Sequence, residues 1–455
     1  MQYSTNRIFI CFIVILTCIT SCRKYLDQKP DQSLAVPNST KDFQSLLDNN
    51  TMLRGAQGSL EVSSDDYFLL FSDYIGRPDP VKNTHIWKKD SLFQPGTNND
   101  WTNNYNKLFT INTVLDNIDK IRKTSNLEDW SNIKGSALFL RAYLYLHLVS
   151  IFSPAYDPAT SLTDLGVTLR LNANFNEVSV RSTLQQTYDQ IIQDLNDAIP
   201  LLPVTPIHKI RPSRPAAYGL LARTYLFMRN YEMALINADA CLRLYNTLID
   251  YNDLDTNATA PIASNNPEVI FQISTAPQPL SAPRTKIDSN LYKSYQADDL
   301  RKTIFFRSTA VDQYTFKGSY DGSNSNSTWF CGIAADEIYL VRAECYARKG
   351  NLAEAKFDLD TLMKKRWKST VAYPDFNPAT PDDALKIILD ERRKELLFRG
   401  IRWMDIKRRN KEGANIVLKR VLNGVGYLLL PNDKRYALPI PEDVISFTGM
   451  PQNPR

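Results

Sequence analysis

Arg214-Pro215-Ala216-Ala217-Tyr218-Gly219-Leu220-Leu221-Ala222-Arg223-Thr224-Tyr225 and Glu337-Ile338-Tyr339-Leu340-Val341-Arg342-Ala343-Glu344-Cys345-Tyr346 are the stretches on which the fold turns. In the first, Tyr218, Ala222 and Tyr225 are followed by Ala234. In the second, Tyr339, Ala343 and Tyr346 are followed by Ala355, at the same offsets of 0, 4, 7 and 16. This is the tetratricopeptide spacing: a large residue, a small one, an aromatic, then a small one where a second helix crosses the first. Small side chains at the crossing let two backbones approach. The spacing therefore predicts two helical hairpins, Pro215–Phe227 with Tyr231–Tyr245 and Asp336–Arg348 with Leu352–Trp367. Gly350 supplies the turn of the second pair.

Helical periodicity continues outward from these pairs. Trp101–Ile121 carries Tyr105, Leu108, Ile111, Leu115 and Ile118 at three- and four-residue spacing. Ile133–Ile151 is apolar nearly all round, which predicts burial. Thr183–Leu202, closed by Pro203, reads as its partner helix, displaced by an insertion. Pro381–Arg408 reads as one long last helix. Between them lie 46–100, 152–182, 251–300 and 308–332, each longer than the ~15 residues beyond which structureless connections are unusual and often functional. Val269-Ile270-Phe271-Gln272-Ile273 reads as a short strand. The expected fold is mostly α: tetratricopeptide-like hairpins form a scaffold, mainly 101–250 and 336–410. A loop-rich portion with short strands occupies mainly 46–100 and 251–332.

Composition narrows the chemistry. The 16 glycines in 455 residues are about half the usual ~7%, and neither GxGxxG nor GxxxxGK[ST] occurs, which argues against glycine-rich phosphate-binding loops. A net charge of +5 is too weak to imply nucleic acid. At the start, Arg7 precedes nine apolar residues, Ile8–Leu16. That is too few to span a bilayer, which needs about 20, and reads as a signal-peptide core. Ile19-Thr20-Ser21-Cys22 then has the form of a lipobox, with removal of residues 1–21 and lipidation of Cys22. Residues 22–45 are polar and turn-rich and suit a tether, leaving 46–455 as a single domain. After processing, Cys241, Cys331 and Cys345 remain, too few for a disulfide framework.

Catalytic and metal signatures are sparse. His85, His147 and His208 are far apart, and no His, Cys or acidic pair has zinc spacing. Asp253-Leu254-Asp255-Thr256-Asn257 lacks the turn glycine and the closing Glu of a calcium loop. No metal or cofactor is expected. A glycoside hydrolase needs only two carboxylates that meet in space, so the 49 acidic residues leave that reading open.

Several further stretches, spread over nearly the whole chain, together resemble the SusD/RagB family of outer-membrane nutrient-binding lipoproteins. They are Ser21-Cys22 with Tyr25-Leu26-Asp27, Trp101…Tyr105…Ile111-Asn112, Ala137–Tyr143, Gly166-Val167, Tyr188–Pro203 and Asn266-Pro267-Glu268-Val269-Ile270-Phe271. The C-terminal third adds Glu391-Arg392-Arg393-Lys394-Glu395-Leu396, Gly400–Arg408, Leu438-Pro439-Ile440-Pro441 and Gln452-Asn453-Pro454. Arg399 stands where many members have Glu. The resemblance implies a non-catalytic, lipid-anchored protein facing the exterior at the outer membrane. It would capture an oligomeric nutrient, expected to be an oligosaccharide, and pass it to a SusC-like TonB-dependent transporter. Glu391, Glu395, Arg399, Arg402 and Asp405, taken as successive turns of one helix, read as architecture and not as a catalytic dyad.

The family shares no ligand motif, so candidate contacts rest on local chemistry. Sugar rings stack on Trp and Tyr, while Asn, Asp and Arg bond their hydroxyls. By that criterion the 65–104 segment is richest, with Asp73, Tyr74, Arg77, Trp87, Trp101 and Asn104. The 314–329 segment follows, with Tyr314, Phe316, Tyr320 and Trp329. For each ring the competing reading is a loop aromatic packed against the body. Two other functions stay open at this point: a surface glycoside hydrolase, and a tetratricopeptide scaffold that binds only protein.

Overall fold

A computed structural model describes residues 37–49, 52, 58–275, 280, 284–322 and 328–455. The signal peptide, Cys22 and most of the tether lie outside these residues. Among them are sixteen α-helices and six separate two-stranded antiparallel sheets. The chain is mostly helical with short strands, as its sequence predicts.

Eight helices form the scaffold: α1 (Asp100–Ile118), α2 (Leu127–Phe152), α3 (Leu184–Ala198), α4 (Arg214–Phe227), α5 (Tyr231–Leu244), α6 (Ala335–Arg348), α7 (Leu352–Met363) and α8 (Pro381–Glu395). Chain neighbours pack together, α2 on α3, α4 on α5 and α6 on α7, while α5 also packs on α6 across the long insertion and α8 packs chiefly on α6. The four crossing alanines, Ala222, Ala234, Ala343 and Ala355, are fully buried. Gly350, at φ +79°, makes the α6–α7 turn with nothing near its missing Cβ. α2 is buried along almost its whole length, as an all-round apolar helix must be.

The insertion between α2 and α3 is tied by strand 165–168 pairing with strand 181–183. Gly166 is required there by contact: a Cβ would lie 2.3 Å from Thr187 Oγ1 and 2.4 Å from the Thr183 carbonyl. The C-terminal tail lies over this region as extended segments. Asn453 donates to the carbonyls of Phe152 and Leu438, and Gln452 exchanges hydrogen bonds with Ile440.

One helix prediction fails. Pro381–Arg408 is not continuous: α8 ends at Glu395, and α9 (Arg402–Lys411) starts after a sharp reversal. Phe398 (φ 56°) and Gly400 (φ 74°) are both left-handed, which no helix accommodates. The reversal is held by tertiary contacts. The Phe398 ring stacks on Trp329 with centroids 4.1 Å apart, and the Gly400 amide donates to Glu61. Arg399 is therefore not one helical turn beyond Glu395.

The acidic and basic residues around this reversal form a buried lattice. Arg301 bonds Asp299, Glu391 and Glu395; Arg366 bonds Glu268 and Glu395; Arg399 bonds Asp336; Arg408 bonds Glu344 and Asp405. These bonds tie α8 to the 266–301 segment, the reversal to α6, and α9 to α6. Pairs this deeply buried contribute fixed geometry more surely than net stability.

Candidate functional site

The 58–100 segment is drawn into a closed loop by its two ends. The Ser59 amide (3.1 Å) and hydroxyl both donate to Asp100 Oδ2 at the start of α1. Asn99 caps that helix, accepting from the amides of Trp101 and Thr102. Inside the loop, short helices span 59–63, 71–75 and 79–85. Arg420, on the hairpin 418–429, fastens them from behind by donating to the Val62 and Ser64 carbonyls. Its guanidinium also lies 4.7 Å from the centre of the Trp87 ring. A helix near the C-terminus, Glu442–Thr448, braces the outer side: Glu442 accepts from the Ser91 amide and Asp443 from the Gly96 amide.

These contacts leave a cleft of about 390 Å³, bordered by Ser59, Arg77, Pro80, Gln94, Thr97, Asn98 and Asp100 among others. The lining mixes hydrogen-bonding side chains with the apolar Val62, Pro78, Pro80, Val81, Leu92 and Phe93. Asp100 is buried, with Oδ1 unbonded and 3.6 Å from His147 Nε2. Burial pushes its carboxyl up, but His147 and the two Ser59 donors outweigh that and hold it below the usual range.

The predicted contact residues divide sharply. Trp101 is buried, its ring 4.7 Å from that of Tyr105 and edge-on to Phe152 at 5.1 Å. Trp87 is buried, with its indole N–H donating to the Ser63 carbonyl at 3.0 Å. Asn104 is buried and donates to the Asp100 carbonyl. Trp329 stacks on Phe398, and Tyr320 sits beneath Arg399, its hydroxyl 3.0 Å from that of Tyr251. The four rings pack against protein groups, while Oδ1 of Asn104 has no partner. Asp73, Tyr74 and Arg77 are half-buried at the surface, and of the predicted set Arg77 alone borders the cleft. The 314–329 segment lies away from the cleft lining; its residues 323–327 fall outside the described part.

Sequence reasoning missed Gln94, Thr97 and Asn98. The signal was present as the polar run Gln94-Pro95-Gly96-Thr97-Asn98-Asn99, but a criterion built on aromatic stacking gives such a run little weight.

One group of carboxylates invites a metal reading. Oxygens of Glu268, Asp336 and Glu395 lie within 4.8 Å of one another. Arg366, Arg301 and Arg399 already bond them at 2.6–3.0 Å, so the charge is answered by guanidinium groups.

The hairpin stack thus carries a cleft of mixed polarity on a braced loop. Residues 24–226 match the family model described as "Starch-binding associating with outer membrane", and residues 305–454 match that of the SusD family. Together these matches cover most of the chain, which belongs to the SusD/RagB family, a family of non-catalytic binding proteins associated with the outer membrane. SusD-like protein P2 of Formosa agariphila is 25% identical, over 98% of this chain and 99% of that one. A SusD superfamily protein from Bacteroides fragilis superposes with a TM-score of 0.74 at 21% identity, covering 91% of this chain and 99% of its own. A SusD-like carbohydrate binding protein from Bacteroides vulgatus gives 0.68 at 21% identity, covering 90% and 97%.

Proposed function

We propose that this protein captures a soluble oligosaccharide at the cell surface and passes it, unaltered, to a SusC-like TonB-dependent transporter while anchored through lipid on Cys22. The observation that carries the reading is the 390 Å³ cleft, walled by Gln94, Thr97, Asn98 and Arg77, on this family's scaffold. Its size suits a few sugar units, and its amides and hydroxyl suit the sugars' own hydroxyls. The family model's description and the carbohydrate binding named for the Bacteroides vulgatus neighbour support the ligand class. Arg77 stands on its accessible border, with Asp73 and Tyr74 half-buried nearby in sequence but off the lining. Trp87, Trp101 and Asn104 act from behind, as the packed wall that fixes the cleft's shape.

Calorimetry against a panel of plant, host and microbial oligosaccharides tests this. The expected result is saturable binding of at least one, with the glycan recovered intact by mass spectrometry. No binding across the panel overturns the capture reading, and cleavage by the pure protein overturns the transport role.

A further inference from the structure

We infer that the captured saccharide is acidic, bearing carboxylate or sulfate groups, and that Arg77 receives one of them; this rests on the capture reading above. Arg77 is half-buried on the border of the cleft. Its Nε donates to the Asp73 carbonyl at 3.2 Å, which orients the guanidinium. Its two terminal nitrogens have no acceptor among the described residues.

Most of the acids of this loop have partners elsewhere, while Asp100 keeps one oxygen, Oδ1, buried and unbonded. Asp79 pairs with Lys82 at 2.7 Å, and Asp73 lies 4.0 Å from Arg284. Asp100 takes both Ser59 donors, while Glu442 and Asp443 accept backbone amides across the loop. A permanently charged, planar fork with free donors at the edge of a cleft matches a carboxylate or a sulfate in geometry and charge. The cleft also lacks an open stacking face. Phe93, the aromatic among its lining residues, is buried with its ring 6.0 Å from that of Phe152. Polar and ionic contacts must then supply much of the recognition, which favours a charged sugar over a neutral one.

The test uses matched pairs on the full chain: oligogalacturonate beside its methyl ester, and a sulfated galactan oligosaccharide beside its desulfated form. The charged member of one pair should bind about tenfold or more tightly, since a charge-assisted fork is roughly twice as strong as neutral bonds. That preference should weaken as salt is raised. It should vanish in Arg77→Gln and survive in part in Arg77→Lys, both with unchanged melting temperatures. The pair that responds distinguishes carboxylate from sulfate. Equal binding of both members overturns the inference and leaves capture standing. A charged-sugar preference that persists in Arg77→Gln overturns the assignment to Arg77. Absence of any saccharide binding brings down the capture reading and this inference together.

Discussion

Glu61 is a residue whose ionisation bears directly on stability. It is buried beside the α8–α9 reversal, accepts the Gly400 amide, and leaves Oε2 without a partner. Burial first, and the neighbouring Asp66 second, push its carboxyl up from 4.5 to about 8. The folded protein therefore favours the neutral form more than the unfolded chain does. Its contribution is fully present below pH 4.5 and declines as pH rises to about 8, beyond which it is flat. Glu61→Gln keeps an acceptor for Gly400 and removes the ionisation. Its stability relative to the parent, measured by urea unfolding from pH 5 to 9, should rise with pH by on the order of a few kcal/mol and then level off. A difference independent of pH would mean that Glu61 stays charged in the fold. None of this was legible in the sequence. Glu61 is one acid among 49, and its burial follows from a reversal 339 residues away. The burial of the tryptophans was hidden for a related reason, because a ring's availability depends on what covers it. Trp329 is covered by Phe398, which local pattern does not reveal.

Helices were the most readable elements, because their periodicity records burial on one face of a regular object. The α4–α5 and α6–α7 pairs follow the offsets of their tyrosines and alanines, and α2 meets α3 across its insertion. Ala222→Leu or Ala343→Leu would force a branched side chain into a fully buried crossing. Each should cost roughly 1–3 kcal/mol through overpacking, read as a lowered thermal midpoint. Unchanged midpoints in both would show that the helices are not in close approach there. The break between α8 and α9 escaped because Leu396-Leu397-Phe398-Arg399 has good helical composition. Its reversal is imposed from outside by Trp329 and Glu61, and Gly400 alone is a weak signal. The loop-rich portion was legible as length and not as form. The short helices at 59–63 and 79–85 are held by Arg420, more than 300 residues away, and Asp100 adds a tie to Ser59.

At the scale of the molecule, the 58–100 loop carries the cleft on a stack of helical hairpins. The proposed anchor lies at the other end of the argument, in residues read from sequence alone. Cys22→Ser should abolish incorporation of labelled fatty acid and release the protein from the outer-membrane fraction; retention there would contradict the lipoprotein reading. The central claim is that the cleft bordered by Arg77, Thr97 and Asn98 holds the saccharide. Asn98 is exposed on that border, so Asn98→Trp fills the space without disturbing the buried wall. The deciding measurement is calorimetric titration of the best-binding oligosaccharide into the parent and Asn98→Trp, with their melting temperatures matched. The account predicts that the variant loses affinity about tenfold or more, equivalent to about 1.4 kcal/mol; equal affinity in the two proteins would place the binding site elsewhere and contradict it.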